Sequence, residues 1–441
     1  MLALLWLTLV TAVTRGGGHG GALTFLALGD WGGLPEPPFV TPREVATAAA
    51  MGQAATEMGG DFVLALGDNF YYSGVRDEWD PRFQDTFERV FVSPGLRGVP
   101  WYVMAGNHDH AGNVTAQLRY SHHSPRWHFP HPYYSLRLHV PGSNASARLL
   151  VLDTVLLCGH TDDFGLGDVP AGPRDAAAAG AHLAWLRAQL EAAAGDSFVL
   201  VAGHYPVWSV AKHGPTPCLL RLLRPLLRRH RVTAYLCGHD HNLQYLEEGG
   251  VGYVLSGAGN FMEDSRPHEG SVPPGSLRFF FGSPASPGGF AHLRLEPSAV
   301  TVTFLEATGR VLHRVTLPPP PPLTPGDGGD TGTPTLGDTG GTGSPSPGVL
   351  GTLGDTGSPL NPPRRRWGQS GHWDHWFWGH SAISDPLWDT GDQTLTNDRG
   401  ETPMTPDLGD PRDLGDTEDT DPWPGGTLTP AWVAPMTNDP Q

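Results

Sequence analysis

A chain of 441 residues with a formal net charge of −17 has room for one large domain with appendages, or for two or three domains. The acidity is uneven: residues 318–441 hold 18 acids against five bases, net −13, which leaves −4 on the first 317 residues. The single lysine, Lys212, excludes a Walker-type phosphate loop, which needs Gly-Lys-Ser/Thr, and no basic patch suggests nucleic acid.

The chain starts MLALLWLTLVTAVT, with an apolar run from Leu2 to Val13. A dozen residues cannot span a bilayer but suit a signal-peptide core, with Ala12-x-Thr14 as a cleavage site. Residues 1–21 are therefore read as signal peptide and leader. The chain is expected in the secretory pathway, lysosomal or extracellular, with no transmembrane segment. Residues 22–317 form the expected folded domain. Strand-like runs fall at 24–30, 62–68, 101–107, 133–140, 147–154, 198–204, 232–239, 251–257, 289–296, 299–306 and 311–317. Helices are predicted at 41–58, 81–91, 175–194 and 218–230, the third with Leu183, Leu186 and Leu190 on one face. Strands alternating with helices early and mostly strands late indicate an α/β layered domain with an antiparallel second half.

Two glycosylation sequons, Asn113-Val114-Thr115 and Asn144-Ala145-Ser146, agree with export. In an oxidising compartment Cys158 and Cys218 can pair, leaving Cys237 buried and free; three free thiols is the alternative, and spacing does not decide between them. From Pro318 the composition turns Pro-, Gly- and Thr-rich with a recurring Gly-Asp-Thr unit, so 318–441 is expected to be a disordered acidic tail, its aromatic and His-rich stretch 367–380 included.

Chemistry enters with a repeated pattern. Five apolar runs end in Gly followed at once by a metal-ligand type: TFLALGD to Asp30, FVLALGD to Asp68, WYVMAGN to Asn107, FVLVAGH to His204 and TAYLCGH to His239, with His241 two residues on. Strand ends gather at one sheet edge, so the five can converge on a metal centre, and their number points to two metals. Oxygen ligands with imidazoles suit iron, zinc or manganese better than calcium. Asp68, in the middle of the set, is the natural bridge. Glycine before each ligand allows a sharp turn and close approach.

The order Asp … GDN … GNHD … GH … GHDH resembles the calcineurin-like metallophosphoesterases. Most of that superfamily begins Asp-x-His; here Gly29-Asp30-Trp31-Gly32-Gly33 has no His, and GDNFYY places Tyr71 three residues after Asp68. Those two changes resemble purple acid phosphatases, and GDWGG, GDNFYYSG, AGNHDH, GHYPVWS and CGHDHNLQY resemble their small animal form over roughly residues 22–317. The resemblance implies a metallophosphoesterase-type four-layer αββα sandwich, two mixed β-sheets flanked by helices. It implies an acid phosphatase, a monomer, hydrolysing phosphate monoesters (phosphoproteins, nucleotides, aryl phosphates) by metal-bound hydroxide at a binuclear iron centre. Asp30, Tyr71 and His241 would bind Fe(III), Asp68 would bridge, and Asn107, His204 and His239 would bind Fe(II), zinc or manganese. His108 and His213 would act on the leaving group. The loop 156–175, with Asp162, Asp163 and Asp168, would hang over the metals. The alternatives are another metallophosphoesterase, such as a phosphodiesterase, or a binding protein using the acidic tail. His110, His122, His123 and His128 are left as surface or rim residues.

Overall fold

The computed structural model describes residues 9–11, 21–161, 169–170 and 172–320. Most of the leader, Asp162, Asp163 and Asp168, and all but the first three residues of the tail lie outside this set.

The described strands in chain order are β1 (Leu9–Thr11), β2 (Leu23–Leu28), β3 (Phe62–Ala65), β4 (Trp101–Val103), β5 (Trp127–His128), β6 (Tyr134–His139), β7 (Ser146–Val151), β8 (Phe198–Ala202), β9 (Ala234–Cys237), β10 (Leu243–Glu248), β11 (Val251–Ser256), β12 (Leu277–Phe281), β13 (Gly289–Glu296), β14 (Ala299–Glu306) and β15 (Val311–Leu317). They build two mixed sheets. One is ordered β1–β6–β7–β8–β9–β11–β10–β12 and the other β15–β14–β13–β2–β3–β4–β5. Strands β2 to β5 run parallel, while β13, β14 and β15 pair antiparallel, so the expected antiparallel second half is present.

The layers follow from strand alternation. On β7 and β8, Leu149, Val151, Leu200 and Ala202 join the core that also holds Phe25, Ala27, Phe62 and Leu64 of the other sheet. Their neighbours Leu150, Val199 and Val201 face the opposite way, into a second core with Leu183, Leu186 and Leu190 of helix Ala176–Ala192. Helix Pro42–Met58 packs Ala48, Met51 and Ala55 on the first core. Sheet lies on sheet, with helices outside, as the αββα expectation required.

Local chemistry sets the helix ends. Thr41 caps Pro42–Met58 in a reciprocal capping box with Glu44. Asp175 caps Ala176–Ala192, accepting from the amides of Ala177 and Ala178. The helix expected over 218–230 is two short ones, Pro217–Leu222 and Arg224–Arg229. Pro225 has no amide hydrogen to continue the ladder. The helix expected over 81–91 shrinks to one wide, π-type turn, Phe83–Glu88. Strands β1, β5, β10 and β12 escape the sequence reading: β1 falls in the stretch read as signal peptide and pairs with β6, β5 is two residues long, Gln244, Glu247 and Glu248 interrupt β10, and β12 shows no buried face. The stretch 156–175 opens with a short helix, Thr154–Cys158, capped by Asp153.

Cys158 and Cys218 form a disulfide with Cα atoms 5.8 Å apart, tying that short helix to Pro217–Leu222, and Cys237 is a buried free thiol. No helix among the described residues is long and apolar enough to cross a membrane.

One buried group carries a pH consequence. His182 on helix Ala176–Ala192 is fully buried and stacks on Tyr133, with ring centroids 3.9 Å apart and neither ring nitrogen hydrogen-bonded. Burial pushes its imidazole down to about 3. The unfolded chain therefore takes up a proton below the ordinary pKa of about 6.5 that the folded chain refuses, and stability falls with pH from there. At pH 5 the loss is about 2 kcal/mol. Denaturant titrations should show His182→Phe narrowing the stability gap between pH 7.5 and pH 5; an unchanged gap would refute a neutral His182.

Candidate metal centre

The ligand candidates all sit just past C-terminal strand ends. Asp30, Asp68 and Asn107 follow β2, β3 and β4, which neighbour one another in one sheet. His204, then His239 and His241, follow β8 and β9, neighbours in the other. The sheets meet there: the Gly29 amide donates to the Ser256 carbonyl at the end of β11, and His204 Nδ1 donates to the Leu66 carbonyl just past β3. Asp30, Asp68 and His239 have φ of +57°, +52° and +73°, a strained region for residues with a side chain.

Glycine makes this convergence sterically possible. A methyl group at Gly106 would collide with the Asp68 carboxylate, and one at Gly238 with that of Asp30. The repeated glycine thus serves the ligand of a neighbouring strand as well as its own turn.

The side chains fall into two adjoining groups. Tyr71 Oη lies 3.3 Å from Asp30 Oδ1 and 3.1 Å from His241 Nε2. In the second group, His204 Nε2 lies 2.9 Å from Asn107 Oδ1 and 3.3 Å from Asp68 Oδ2. Ligand atoms of Asp68, His204 and His239 all come within 4.8 Å of one another. The groups are joined through backbone, the His239 amide donating to Asp30 at 2.9 Å to Oδ2; within the second group the His108 amide donates to Asp68 Oδ1 at 3.0 Å.

Asp30, Asp68, Tyr71 and His204 are fully buried. Burial alone would lower the His204 imidazole, but the Asp68 and Asp30 carboxylates hold it up to about 10. Its Nδ1 faces the Leu66 carbonyl at 2.9 Å and must donate there, so Nε2 is the nitrogen turned to Asp68 and Asn107. Anionic oxygens, an amide oxygen and an imidazole nitrogen oriented by a backbone acceptor form a donor set that fits metal cations.

Around this set stand residues that could handle protons or shape the site. His108 Nδ1 donates to the Tyr72 carbonyl at 2.7 Å, and its ring lies against Tyr71 at 4.6 Å. The His213 ring lies 4.1 Å from that of His239, and its amide donates to Asp240. Three residues near the site were not singled out from the sequence. Asp109 accepts from the amides of Gly106 and Asn69 and from Gln117 Nε2; burial, then the Asp68 charge, raises it to about 6. His160 Nε2 donates to the Asn107 carbonyl at 3.0 Å. Phe261 packs on Tyr71, Tyr72 and His241. Asp109 had a signal, being part of AGNHDH; His160 and Phe261 had none.

Other sequence candidates fall elsewhere. His110, expected at the surface or rim, is mostly buried and pairs with buried Asp153 at 2.8 Å, because helix Asn107–His110 turns it under the site. His122 and His123 are exposed, and His128 is half-buried on β5. The Asn113 side chain caps helix Val114–Tyr120 and donates to the Arg76 carbonyl, while Asn144 is exposed in the turn between β6 and β7.

Residues 23–243 match the model of the calcineurin-like phosphoesterase family. The chain belongs to this family, in its purple acid phosphatase branch, and is an enzyme of the acid phosphatase class. It is 54% identical to mouse tartrate-resistant acid phosphatase type 5 over 322 residues, covering 72% of this chain and 96% of that one. It is 30% identical to Arabidopsis purple acid phosphatase 4, covering 67% and 83%. A solved structure of GAP50, the anchor in the inner membrane complex of Plasmodium, superposes with a TM-score of 0.57 at 23% identity, covering 68% and 89%; it bears on the fold alone. Membership of this family implies a binuclear metal centre.

Gly106→Ala should leave the far-ultraviolet circular dichroism unchanged and lower phosphatase activity by about tenfold or more, since displacing a carboxylate by even an ångström costs on that scale. Activity at the wild-type level would show that the carboxylate has room to spare.

Proposed function

We propose that this chain is a secreted or lysosomal acid phosphatase, acting as a monomer on phosphate monoesters such as phosphoproteins, nucleotides and aryl phosphates, at a binuclear iron centre. Asp30, Tyr71 and His241 would hold the ferric ion, Asp68 would bridge, and Asn107, His204 and His239 would hold the second metal, ferrous iron with zinc or manganese as substitutes. The observation that carries this reading is the phenol of Tyr71, fully buried within hydrogen-bonding distance of both Asp30 and His241. A hard phenolate beside a carboxylate suits a trivalent ion better than a divalent one.

Bound there, a metal pair supplies Lewis acidity toward phosphoryl oxygens and lowers the pKa of water enough for attack in acid. The protein's own residues do the rest. Asp30, Asp68 and the Tyr71 phenolate would hold the two cations without neutralising them fully, so the floor would keep a positive charge for a phosphate dianion. His108 is the general acid: its Nδ1–H is committed to the Tyr72 carbonyl, which turns Nε2 to the leaving group, and the proton for the leaving alkoxide comes from Nε2 of the doubly protonated ring. His213, its ring 4.1 Å from that of His239, would hydrogen-bond the substrate. Export is supported by the apolar start of the chain, the Cys158–Cys218 disulfide and the exposed sequon at Asn144; Asn113 and Asn144 are the proposed glycan sites.

Metal analysis and a visible spectrum of the purified protein test the iron assignment. Iron with a broad visible band is expected, and Tyr71→Phe should abolish the band while the fold is kept; a colourless, iron-free active enzyme would overturn it. Asp68→Ala should lower kcat/KM on p-nitrophenyl phosphate on the order of a thousandfold or more. His108→Ala should slow alkyl phosphates by about a hundredfold or more and p-nitrophenyl phosphate far less, because nitrophenolate leaves without a proton. Equal losses on both substrates would remove His108 from the acid role.

A further inference from the structure

A second concavity, of about 440 Å³, lies on the outer face of β13, β14 and β15. Strand alternation creates it. Leu293, Leu295, Val300 and Val302 turn into the core, so the residues between them turn out. Register then sets these in two rows across the three strands: His292, Thr303 and Arg314 in one, Arg294, Thr301 and Thr316 in the other. The C-terminal end of helix Pro42–Met58 forms the wall, with Glu57 and Met58.

The rows are partly organised already. His292 is buried and donates to the Gly59 carbonyl at 3.0 Å, which fixes its ring. Arg314 is exposed, makes no ion pair among the described residues, and donates Nε to Thr303 Oγ1 at 3.3 Å. That bond leaves the two terminal nitrogens of its fork directed away from the threonine. Arg294 is half-buried and donates to Glu296 at 3.1 Å. Thr301 and Thr316 place their hydroxyls 3.5 Å apart between the two arginines.

The place is remote from the metal centre. Arg294 pairs with Thr24 and His292 with Leu26, at the start of β2, whereas Asp30 follows its far end. Six residues of extended chain separate Thr24 from Asp30, about 20 Å.

We propose that this concavity binds a sugar carrying a sulfate or phosphate ester. Guanidinium forks take oxyanions bidentately, and threonine hydroxyls both donate to and accept from sugar hydroxyls. The volume suits a small organic ligand rather than a single ion. The lining offers no exposed aromatic ring on which a nucleobase could stack. Sulfate and phosphate share this recognition chemistry, and the phosphatase centre separates them: a phosphate ester is also a substrate at the metal site, whereas a sulfate ester is not.

The test is calorimetric titration of the full chain with a sulfated disaccharide, against its unsulfated parent and inorganic sulfate. The sulfated sugar should bind with a Kd below about 1 mM, weakening as salt is raised, and the parent should not bind. Arg314→Gln should weaken binding about tenfold or more, and Thr316→Val several-fold, with p-nitrophenyl phosphate turnover unchanged. The pair guards against one variant failing to fold. Repeating the titration with the phosphorylated sugar on the Asp68→Ala protein should show the same Arg314 dependence. Absence of binding, equal affinity in Arg314→Gln, or inorganic sulfate binding as tightly as the disaccharide would overturn the assignment.

Discussion

Asp30 and Asp68 sit wholly out of water, facing imidazoles, a phenol and an amide. Removing a carboxylate from water is expensive unless charge and hydrogen bonds replace what is lost. Much of the surrounding architecture serves that need. Backbone amides of His239 and His108 point at the two carboxylates, and the His204 imidazole stands against Asp68 at 3.3 Å. A binuclear metal centre is the stronger form of the same compensation, which is why the site can be read from its carboxylates even before any metal is considered.

Holding the ligands still is a separate problem, and apolar packing solves it. Trp31 follows Asp30 directly and is fully buried among Phe70, Phe87, Phe91, Trp101 and Trp127, its ring 5.4 Å from Trp101 and Phe91. Phe70 lies between Asp68 and Tyr71 in sequence and belongs to the same cluster. Rigid rings so close to three ligands limit how far those ligands can drift. On the opposite side, Asp240 sits between His239 and His241 and accepts from Ser209 and from the His213 amide, tying the GHDH turn to the loop that carries His213. The disulfide between Thr154–Cys158 and Pro217–Leu222 anchors both neighbouring loops.

The fold and the ligand-type residues at the sheet edge were largely legible because they are local. A strand followed by Gly and a ligand is contiguous text, and five copies of it expose the shared sheet edge. Tyr71 was legible because it lies three residues from Asp68. What escaped depended on distant pieces of chain. His160 reaches Asn107 across 53 residues. Phe261 comes from the far side of β11 to cover Tyr71, and looks in the sequence like any other loop phenylalanine. His110 was misplaced because a helix of one turn, not a loop, follows Asn107 and turns it toward Asp153.

The sequence by itself determined the chemical type of each ligand, the layered α/β class and the family, since these rest on residue identity and short-range periodicity. Only the tertiary structure supplies the physical basis for the grouping of these candidate ligands, which the family resemblance had implied. The pairing of Tyr71 with Asp30 and His241, and of Asp68 with Asn107 and His204, depends on how two sheets meet, and no spacing along one chain specifies that. The same holds for the role of the glycines: Gly106 and Gly238 look like turn residues for their own strands, but the missing side chain is needed by a carboxylate that arrives from another strand.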